Sequence, residues 1–223
     1  MRTAPNRRHL IVAVTAFLVA LGLSVSILLM PWFTYLMVPA SGATKLTGLS
    51  TTRVREVAEE VRSFISHRDA PPLPAVVDGA PGFDESSVSH LEDVRDVVIG
   101  ARWVTLIATL ILGIAAAEAL SRGELLGVSG GLRTAGWSTV GVVFLGALAG
   151  TVDFDTFFTA FHGVFFEAGT WSFPADALLI RVFPLPFWSA AALAWAVLSL
   201  LIAAMLLAAG FLGRRVARGM SGN

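Results

Sequence analysis

Two histidines in separate parts of the chain each have an acidic residue at helical spacing. His90 precedes Asp93 by three residues, and His162 follows Asp155 by seven. In a helix, residues at such intervals lie on one face. Imidazole, with a pKa of ~6.5, can accept and return a proton near neutral pH. The pattern therefore makes His90 and His162 candidates for general acid–base chemistry at one shared site. The alternative is a purely structural role for both rings.

Two other kinds of chemistry compete with this interpretation. His90, Asp93, Asp155 and His162 could together bind one metal ion, but their spacing matches no zinc motif. Cysteine is absent, which excludes a disulfide, a thiolate metal site and a cysteine nucleophile. A transporter is the second alternative. Transport usually needs ionisable groups within the membrane, and the only clear candidate, Glu118, lies near the end of a span. Because the spacing of the four residues matches no zinc motif, we predict no bound metal. We also predict no cofactor.

The composition is that of an integral membrane protein. Of 223 residues, 55% are hydrophobic and only 14% are charged. Soluble domains carry ~25% charged residues. There is no basic tract of the kind that binds nucleic acid, so that partner is not expected.

Four apolar stretches have the length that a membrane-spanning helix requires. A span needs ~20 apolar residues, and backbone inside a bilayer must be helical to satisfy its hydrogen bonds. The stretches cover residues 10–30, 103–120, 136–152 and 187–212. The first is longer than the apolar part of a signal peptide, and Pro31 and Trp32 are expected to end it. We predict an all-α, single integral membrane domain over residues 1–223: a four-helix transmembrane bundle with an extracytoplasmic helical cap.

Arginine placement predicts the orientation. One set of short segments carries eight arginines and two acidic residues, whereas the other carries eight basic and fourteen acidic residues. By the positive-inside rule the first set, with both termini, is cytoplasmic, and residues 31–101 and 153–186 face outward. The eight arginines are Arg2, Arg7, Arg8, Arg122, Arg133, Arg214, Arg215 and Arg218.

The outward segments are expected to be mostly helical. Residues 46–68 predict an amphipathic helix that packs as a lid, and the proline- and glycine-rich residues 69–82 predict a loop. A helix capped within residues 84–87 should continue through Gly100 into the second span. In the second outward segment, phenylalanines recur at helical spacing and predict an amphipathic helix in the membrane interface. A turn at 167–171, a helix start at 173–176 and a break at 183–188 should follow.

The two histidine motifs resemble those of the bacterial lipoprotein intramolecular transacylase (Lit) family. The first element is His90-Leu91-Glu92-Asp93-Val94, ahead of the second span. The longer element, ahead of the fourth span, is carried by Phe161, His162, Phe165, Trp171, Pro174, Asp176, Leu179, Ile180, Phe183 and Pro184. The length and the four-span layout agree as well, so the resemblance covers essentially the whole chain.

The resemblance implies an enzyme of the bacterial cytoplasmic membrane with an outward-facing site. Its partners would be a diacylated lipoprotein substrate and membrane lipid. Such an enzyme moves the sn-2 acyl chain of the lipoprotein to the amine of its N-terminal cysteine, giving a lyso-form lipoprotein. The alternative is a membrane protein that binds lipid or lipoprotein without catalysis.

The resemblance also implies that His90 and His162 form the catalytic pair. We expect His162 to act as base and acid and His90 to orient it or to stabilise the oxyanion, although these roles could be exchanged. Asp93 or Asp155 is expected to set the histidine tautomers. Trp171 and Arg181 are the candidate oxyanion donors. Asp176 is the remaining residue that is expected to support the catalytic pair.

Overall fold

The computed structural model describes residues 7–220, which form nine helices and one short hairpin. The helices are α1 Arg7–Leu28, α2 Pro31–Ala40, α3 Ala43–Thr47, α4 Thr51–Ser66, α5 Glu85–Ser121, α6 Leu125–Val152, α7 Phe154–Phe165, α8 Leu178–Val182 and α9 Leu185–Met220. The hairpin pairs β1 Val76–Val77 with β2 Ala80–Pro81. The predicted all-α class is confirmed. Arg2, one of the arginines used for orientation, lies outside the described residues.

Four helices of the described chain, α1, α5, α6 and α9, are long and apolar enough to cross a membrane. Their number matches the four predicted spans, and two of the helices extend well beyond the predicted bounds. Helix α6 begins at Leu125 instead of residue 136, so Arg133 lies inside a helix and not in a connecting loop. Helix α9 runs from Leu185 to Met220, well past the predicted end at Leu212.

Helix α5 carries His90 ahead of the apolar stretch that begins at Trp103. Its first turn is capped by Asp84, whose Oδ1 accepts a hydrogen bond of 2.8 Å from the Ser87 amide. The helix then continues for 37 residues without a break, as the sequence predicts. His90 is thus on the same helix as the second span.

The chain divides into two compact units. The first comprises residues 1–25, 102–149 and 195–223, and thus most of the apolar helical stretches. Small residues bring helices together there: a Cβ added at Gly136 would lie 2.7 Å from Cγ of Leu207 and 3.0 Å from the Ala203 carbonyl oxygen. A buried hydrogen bond of 3.0 Å from Ser199 to Ser24 joins α9 to α1. Polar side chains inside membrane bundles commonly link helices in this way.

The second unit comprises residues 26–101 and 150–194 and has its own hydrophobic core. Helices α2, α4 and α8 pack in it, and its buried residues are Phe33, Val38, Ala43, Val54, Val57, Ala58, Val61, Phe64, Leu73, Val77, Phe83, Leu91, Leu178, Leu179, Val182, Phe183 and Phe187. The amphipathic helix predicted at 46–68 is therefore a central element of this core. It is divided in two, because Gly48 at φ +75° ends α3 and Ser50 caps α4.

The first span ends where Pro31 and Trp32 were expected to end it, because α1 stops at Leu28 and a separate helix, α2, begins at Pro31. Proline is favoured at the first position of a helix, where its missing N–H has no partner to lose. Pro31 occupies that position, and α2 continues to Ala40. It buries Phe33 and Val38 in the core of the second unit and leaves Trp32, Tyr35 and Leu36 exposed.

His162 lies on α7, which is followed by a turn and then by α8. The Asp153 carboxylate caps α7 by accepting from the Thr156 amide at 3.0 Å. After α7 the chain turns at Gly169, whose φ of +92° suits glycine. Helix α8 begins at Leu178, later than the start expected at 173–176, and buries Leu179 and Val182 in the core.

Candidate active site

His90 is buried in an aromatic environment on α5. Only 8% of the residue is exposed. Its ring centroid lies 4.9 Å from that of Phe166 and 5.5 Å from that of Phe173. Its Nδ1 has no hydrogen-bond partner among residues 7–220. Such an imidazole is available to a group that enters the site.

The surroundings of His90 favour its neutral form. Burial lowers the pKa of His90 below the ordinary value of 6.5, because charge is poorly solvated there. A positive charge on His162 lowers the pKa of His90 further, whereas the negative charge of Asp93 acts in the opposite direction. Protonation of one ring therefore disfavours protonation of the other.

His162 is half-buried on α7 and is held by a backbone hydrogen bond. Its Nδ1 lies 2.9 Å from the carbonyl oxygen of Phe158, one turn earlier in the helix. A carbonyl oxygen only accepts, so Nδ1 carries the hydrogen and donates it. In the neutral ring, Nε2 therefore has the lone pair. Nε2 is thus the nitrogen of His162 that can accept a proton.

Aromatic rings fix the orientation of the His162 imidazole. Its centroid lies 3.9 Å from that of Phe158 and 4.8 Å from that of Trp171. Phe158 and Trp171 also contact each other, with centroids 5.7 Å apart. The ring is therefore restrained by its neighbours as well as by its hydrogen bond.

Phe166 brings the two histidines into one site. Its centroid is 4.9 Å from His90 and 5.8 Å from His162, so the two imidazoles cannot be farther apart than the sum of these distances. All of these residues belong to the second unit. The histidines, 72 positions apart in the chain, thus share one aromatic cluster, which we define as Phe158, Phe166, Trp171 and Phe173.

The two predicted carboxylate partners are both exposed, and neither lies at Nδ1 of His162. Asp93 affects His90 through its charge, while Asp155 lies in the first turn of α7. The tautomer of His162 is set by the Phe158 carbonyl, in place of the carboxylate expected from the sequence.

The other predicted supporting residues have different positions. Trp171 packs against His162 with its ring tilted by 35°, and its indole Nε1 is buried without a hydrogen-bond partner in the described part of the chain. Arg181 is half-buried on α8, and its Nε is likewise buried and unpartnered within residues 7–220. Asp176 is exposed ahead of α8. Sequence reasoning did not identify the roles of Phe166 and Phe173, whose only signal was their place among other aromatic residues.

Within residues 7–220, no three histidine, aspartate or glutamate side chains come together as a metal ion would require. Two imidazoles that share one aromatic cluster, one of them with a defined lone pair, are suited to moving protons.

Helices that can span a membrane, together with a paired-histidine site, define a membrane-integral protein with the groups for acid–base catalysis. The chain belongs to the lipoprotein intramolecular transacylase Lit family, whose profile matches residues 10–188. This confirms the family expected from the two histidine motifs. It also confirms the enzyme class, an acyltransferase, over the non-catalytic alternative.

Solved structures show the same fold. The membrane-integral lipoprotein intramolecular transacylase Lit from Bacillus cereus aligns with a TM-score of 0.70 at 16% identity, covering 96% of this chain and 94% of that one. A variant of that protein in which one histidine is replaced by alanine aligns with a TM-score of 0.73 at 15% identity, covering 96% of this chain and 92% of that one.

The chain is also similar to an uncharacterized protein of Aquifex aeolicus. The two are 30% identical over 141 residues, which is 63% of this chain. The match spans 62% of the length of that relative.

Proposed function

We propose that this protein moves the sn-2 acyl chain of a diacylglyceryl lipoprotein to the amine of the lipoprotein's own N-terminal cysteine. Family membership supports the reaction class. The observation that carries the proposal for this chain is the hydrogen bond of 2.9 Å between His162 Nδ1 and the Phe158 carbonyl, which leaves Nε2 as a base in the aromatic cluster that His162 shares with His90.

His162 is the general base and then the general acid. An α-amine has a pKa of ~7.7–8.0, so much of it is protonated at neutral pH and must lose a proton to attack an ester. The ammonium loses its first proton to water, and Nε2 of His162 then accepts the second proton, which the nitrogen gives up as its bond to the carbonyl carbon forms. The imidazolium then gives a proton to the departing glycerol oxygen, which returns the enzyme to its starting state.

His90 is a neutral partner of His162. It is buried, and its pKa is lowered by that burial and by charge on His162. The proton taken from the amine therefore stays on His162 and does not pass to His90. A neutral His90 can orient the substrate or hydrogen-bond to it through its unpartnered Nδ1.

The reaction is balanced without any other reagent. The amine nitrogen forms a bond to the sn-2 carbonyl carbon, giving a tetrahedral oxyanion. The bond from that carbon to the glycerol oxygen then breaks, which leaves an amide on the cysteine and a hydroxyl on glycerol. Because amine and ester belong to one molecule, proximity lowers the barrier and no enzyme nucleophile is needed.

The environment of the reaction follows from the substrate. A diacylated lipoprotein is anchored in the outer leaflet of the bacterial cytoplasmic membrane. The orientation inferred from the arginines, with both termini cytoplasmic, would put the second unit on that side. Exposed aromatic residues of α7, among them Phe161 and Phe165, are suited to contact acyl chains there.

His162→Ala tests the proposal. Loss of an acid–base group costs about 10²–10⁴-fold in rate. We therefore expect the lyso-form lipoprotein to disappear when His162→Ala replaces the wild-type protein in cells, as measured by mass spectrometry of lipoprotein N-termini. The purified variant should likewise fail to convert a synthetic diacylated lipopeptide.

His67→Ala is the matched control, because His67 is an exposed histidine at the end of α4. It should retain full activity at equal expression. Lyso-form product at wild-type levels in His162→Ala would contradict the proposed mechanism. A wild-type protein that leaves the lipid pattern unchanged would contradict the activity and support a lipid-binding role.

A further inference from the structure

Trp171 has a buried hydrogen-bond donor that the fold does not use. Its indole ring is packed against His162, with centroids 4.8 Å apart, and against Phe158 at 5.7 Å. Its Nε1 is buried and has no partner among residues 7–220. Buried polar groups in proteins almost always have a partner, so an unused donor beside a catalytic residue needs an explanation.

The proposed reaction creates a group that such a donor fits. Attack of the amine on the ester places a negative charge on the former carbonyl oxygen, and enzymes stabilise this charge with fixed donors. His162 cannot supply that donor at the moment of attack. Its Nδ1 hydrogen is already bonded to the Phe158 carbonyl, and its Nε2 must be unprotonated to act as a base.

An indole N–H is chemically suited to the task. It donates only, has no charge and does not titrate, so it cannot compete with His162 for the proton. Contacts with two rings hold the indole in place, so little ordering is needed when the oxyanion forms. A donor fixed in a water-poor site is worth more than one in solvent.

We propose that the indole N–H of Trp171 donates a hydrogen bond to the sn-2 carbonyl oxygen of the lipoprotein and stabilises the oxyanion formed there. This inference depends on the proposed function, and it adds a catalytic residue to the two histidines. It assigns His162 to proton transfer and Trp171 to charge stabilisation.

Trp171→Phe tests the inference, because it keeps an aromatic ring beside His162 but removes the N–H. Loss of one oxyanion donor costs about 10²–10³-fold in kcat. We expect a loss of this size in the transfer of acyl chain within a synthetic diacylated lipopeptide. KM should change little and the pH profile should keep its shape, because proton transfer by His162 is retained.

Trp188→Phe is the matched control. Trp188 is 51% exposed at the start of α9, so the same substitution there should leave kcat within about twofold of wild type. Thermal unfolding of the purified variants provides the second readout. A Trp171→Phe protein with wild-type thermal stability and reduced kcat supports the inference, because a merely structural role would change stability.

The two proposals fail in different ways. If wild type is active, His162→Ala is inactive and Trp171→Phe retains kcat within about threefold, Trp171 is not the oxyanion donor and only this inference is overturned. The same holds if Trp171→Phe loses activity and stability together and a second variant, Trp171→His, which restores a ring N–H, fails to recover kcat. An inactive wild-type protein would instead overturn the proposed function.

Discussion

The carbonyl oxygen of Phe158 determines which nitrogen of His162 can act as a base. It accepts from Nδ1 at 2.9 Å, so Nε2 carries the lone pair of the neutral ring and is the proposed base. Backbone carbonyls set histidine tautomers in many sites, and here the acceptor lies one turn earlier on the same helix. No side-chain substitution elsewhere can remove this hydrogen bond directly. The tautomer is therefore a property of α7 itself.

The lowered pKa of His90 predicts a pH-dependent contribution to stability. In the unfolded chain His90 takes up a proton below about pH 6.5. In the folded protein it does so only at lower pH, because burial and charge on His162 lower its pKa. The contribution of His90 to stability is therefore fully present above about pH 6.5, and it is lost as the pH falls from there through the folded pKa. We expect the melting temperature of wild type to fall relative to that of His90→Gln between pH 8 and pH 5.

Thermal unfolding in detergent at several pH values measures this difference. His67→Gln, at an exposed histidine, should follow the wild-type curve. The groups whose charges act on His90 are His162 and Asp93, and both are unchanged in either variant. Parallel curves for wild type and His90→Gln would contradict the prediction.

Sequence reasoning identified the two histidines but not the group that sets the tautomer. Asp155 and His162 lie on one face of α7, yet seven residues correspond to about 10 Å along a helix. That distance is beyond hydrogen-bond range, whereas the carbonyl four residues before His162 is close enough. The helical periodicity of a sequence shows which side chains lie on the same face of a helix. It does not show which of them are close enough to form a hydrogen bond.

Helix α7 is the element whose environment matters most for a lipid substrate. Every residue of α7 is exposed or half-buried, and the exposed ones include Phe161, Val164 and Phe165. An amphipathic helix of this kind lies in the membrane interface with its apolar side among the acyl chains. The same helix presents His162 to the aromatic cluster. The reactive nitrogen is thus carried by an element suited to contact lipid.

A fluorophore at Phe165 should therefore lie within reach of lipid chains. Since the chain has no cysteine, Phe165→Cys allows a single bimane label. In vesicles containing brominated phosphatidylcholine, we expect this label to be quenched at least roughly twofold more strongly than one at Asp69→Cys. Asp69 is exposed in the loop after α4 and provides the control. Equal quenching at both positions would contradict an interfacial α7.

At the scale of elements, the length of the apolar stretches predicted the four spans. Where the other helices begin, and which glycines face a neighbouring helix, depends on local backbone conformation and helix rotation. Pro31 follows the end of the first span, as expected, and also begins α2, because proline favours the first position of a helix. Glycines of the apolar stretches look alike in the sequence, yet a Cβ at Gly146 would meet open space. The close approach occurs at Gly136 instead. Which glycine faces a neighbour depends on helix rotation, which a single sequence does not specify.

For the whole molecule, the predicted outward segments nearly coincide with the second compact unit. The prediction assigned residues 31–101 and 153–186 to one side of the membrane, and the unit comprises residues 26–101 and 150–194. Charge sorting along the chain had already separated these segments from the apolar stretches. The packing of α2, α4 and α8 into one core depends on long-range contacts, which no local pattern contains. The prediction of a single domain over residues 1–223 stays a prediction.

The orientation of the molecule can be tested at the two ends of α5. The helix has 37 residues from Glu85 to Ser121, or about 54 Å at ~1.5 Å per residue, whereas the apolar part of a bilayer is ~30 Å thick. Both Ser86 and Ser121 are exposed, so each can be replaced by cysteine in an otherwise cysteine-free chain. By the positive-inside rule, Ser86 lies outside and Ser121 inside.

A membrane-impermeant maleimide should therefore label Ser86→Cys in intact cells and Ser121→Cys only after the membrane is permeabilised. Each variant is the control for the other, because the substitution is the same and both sites lie on one helix. Labelling of both in intact cells would mean that α5 does not cross the membrane. The reverse pattern would put His90, on the second turn of α5, on the cytoplasmic side. The site could then not reach a lipoprotein in the outer leaflet, and the proposed reaction would lose its substrate.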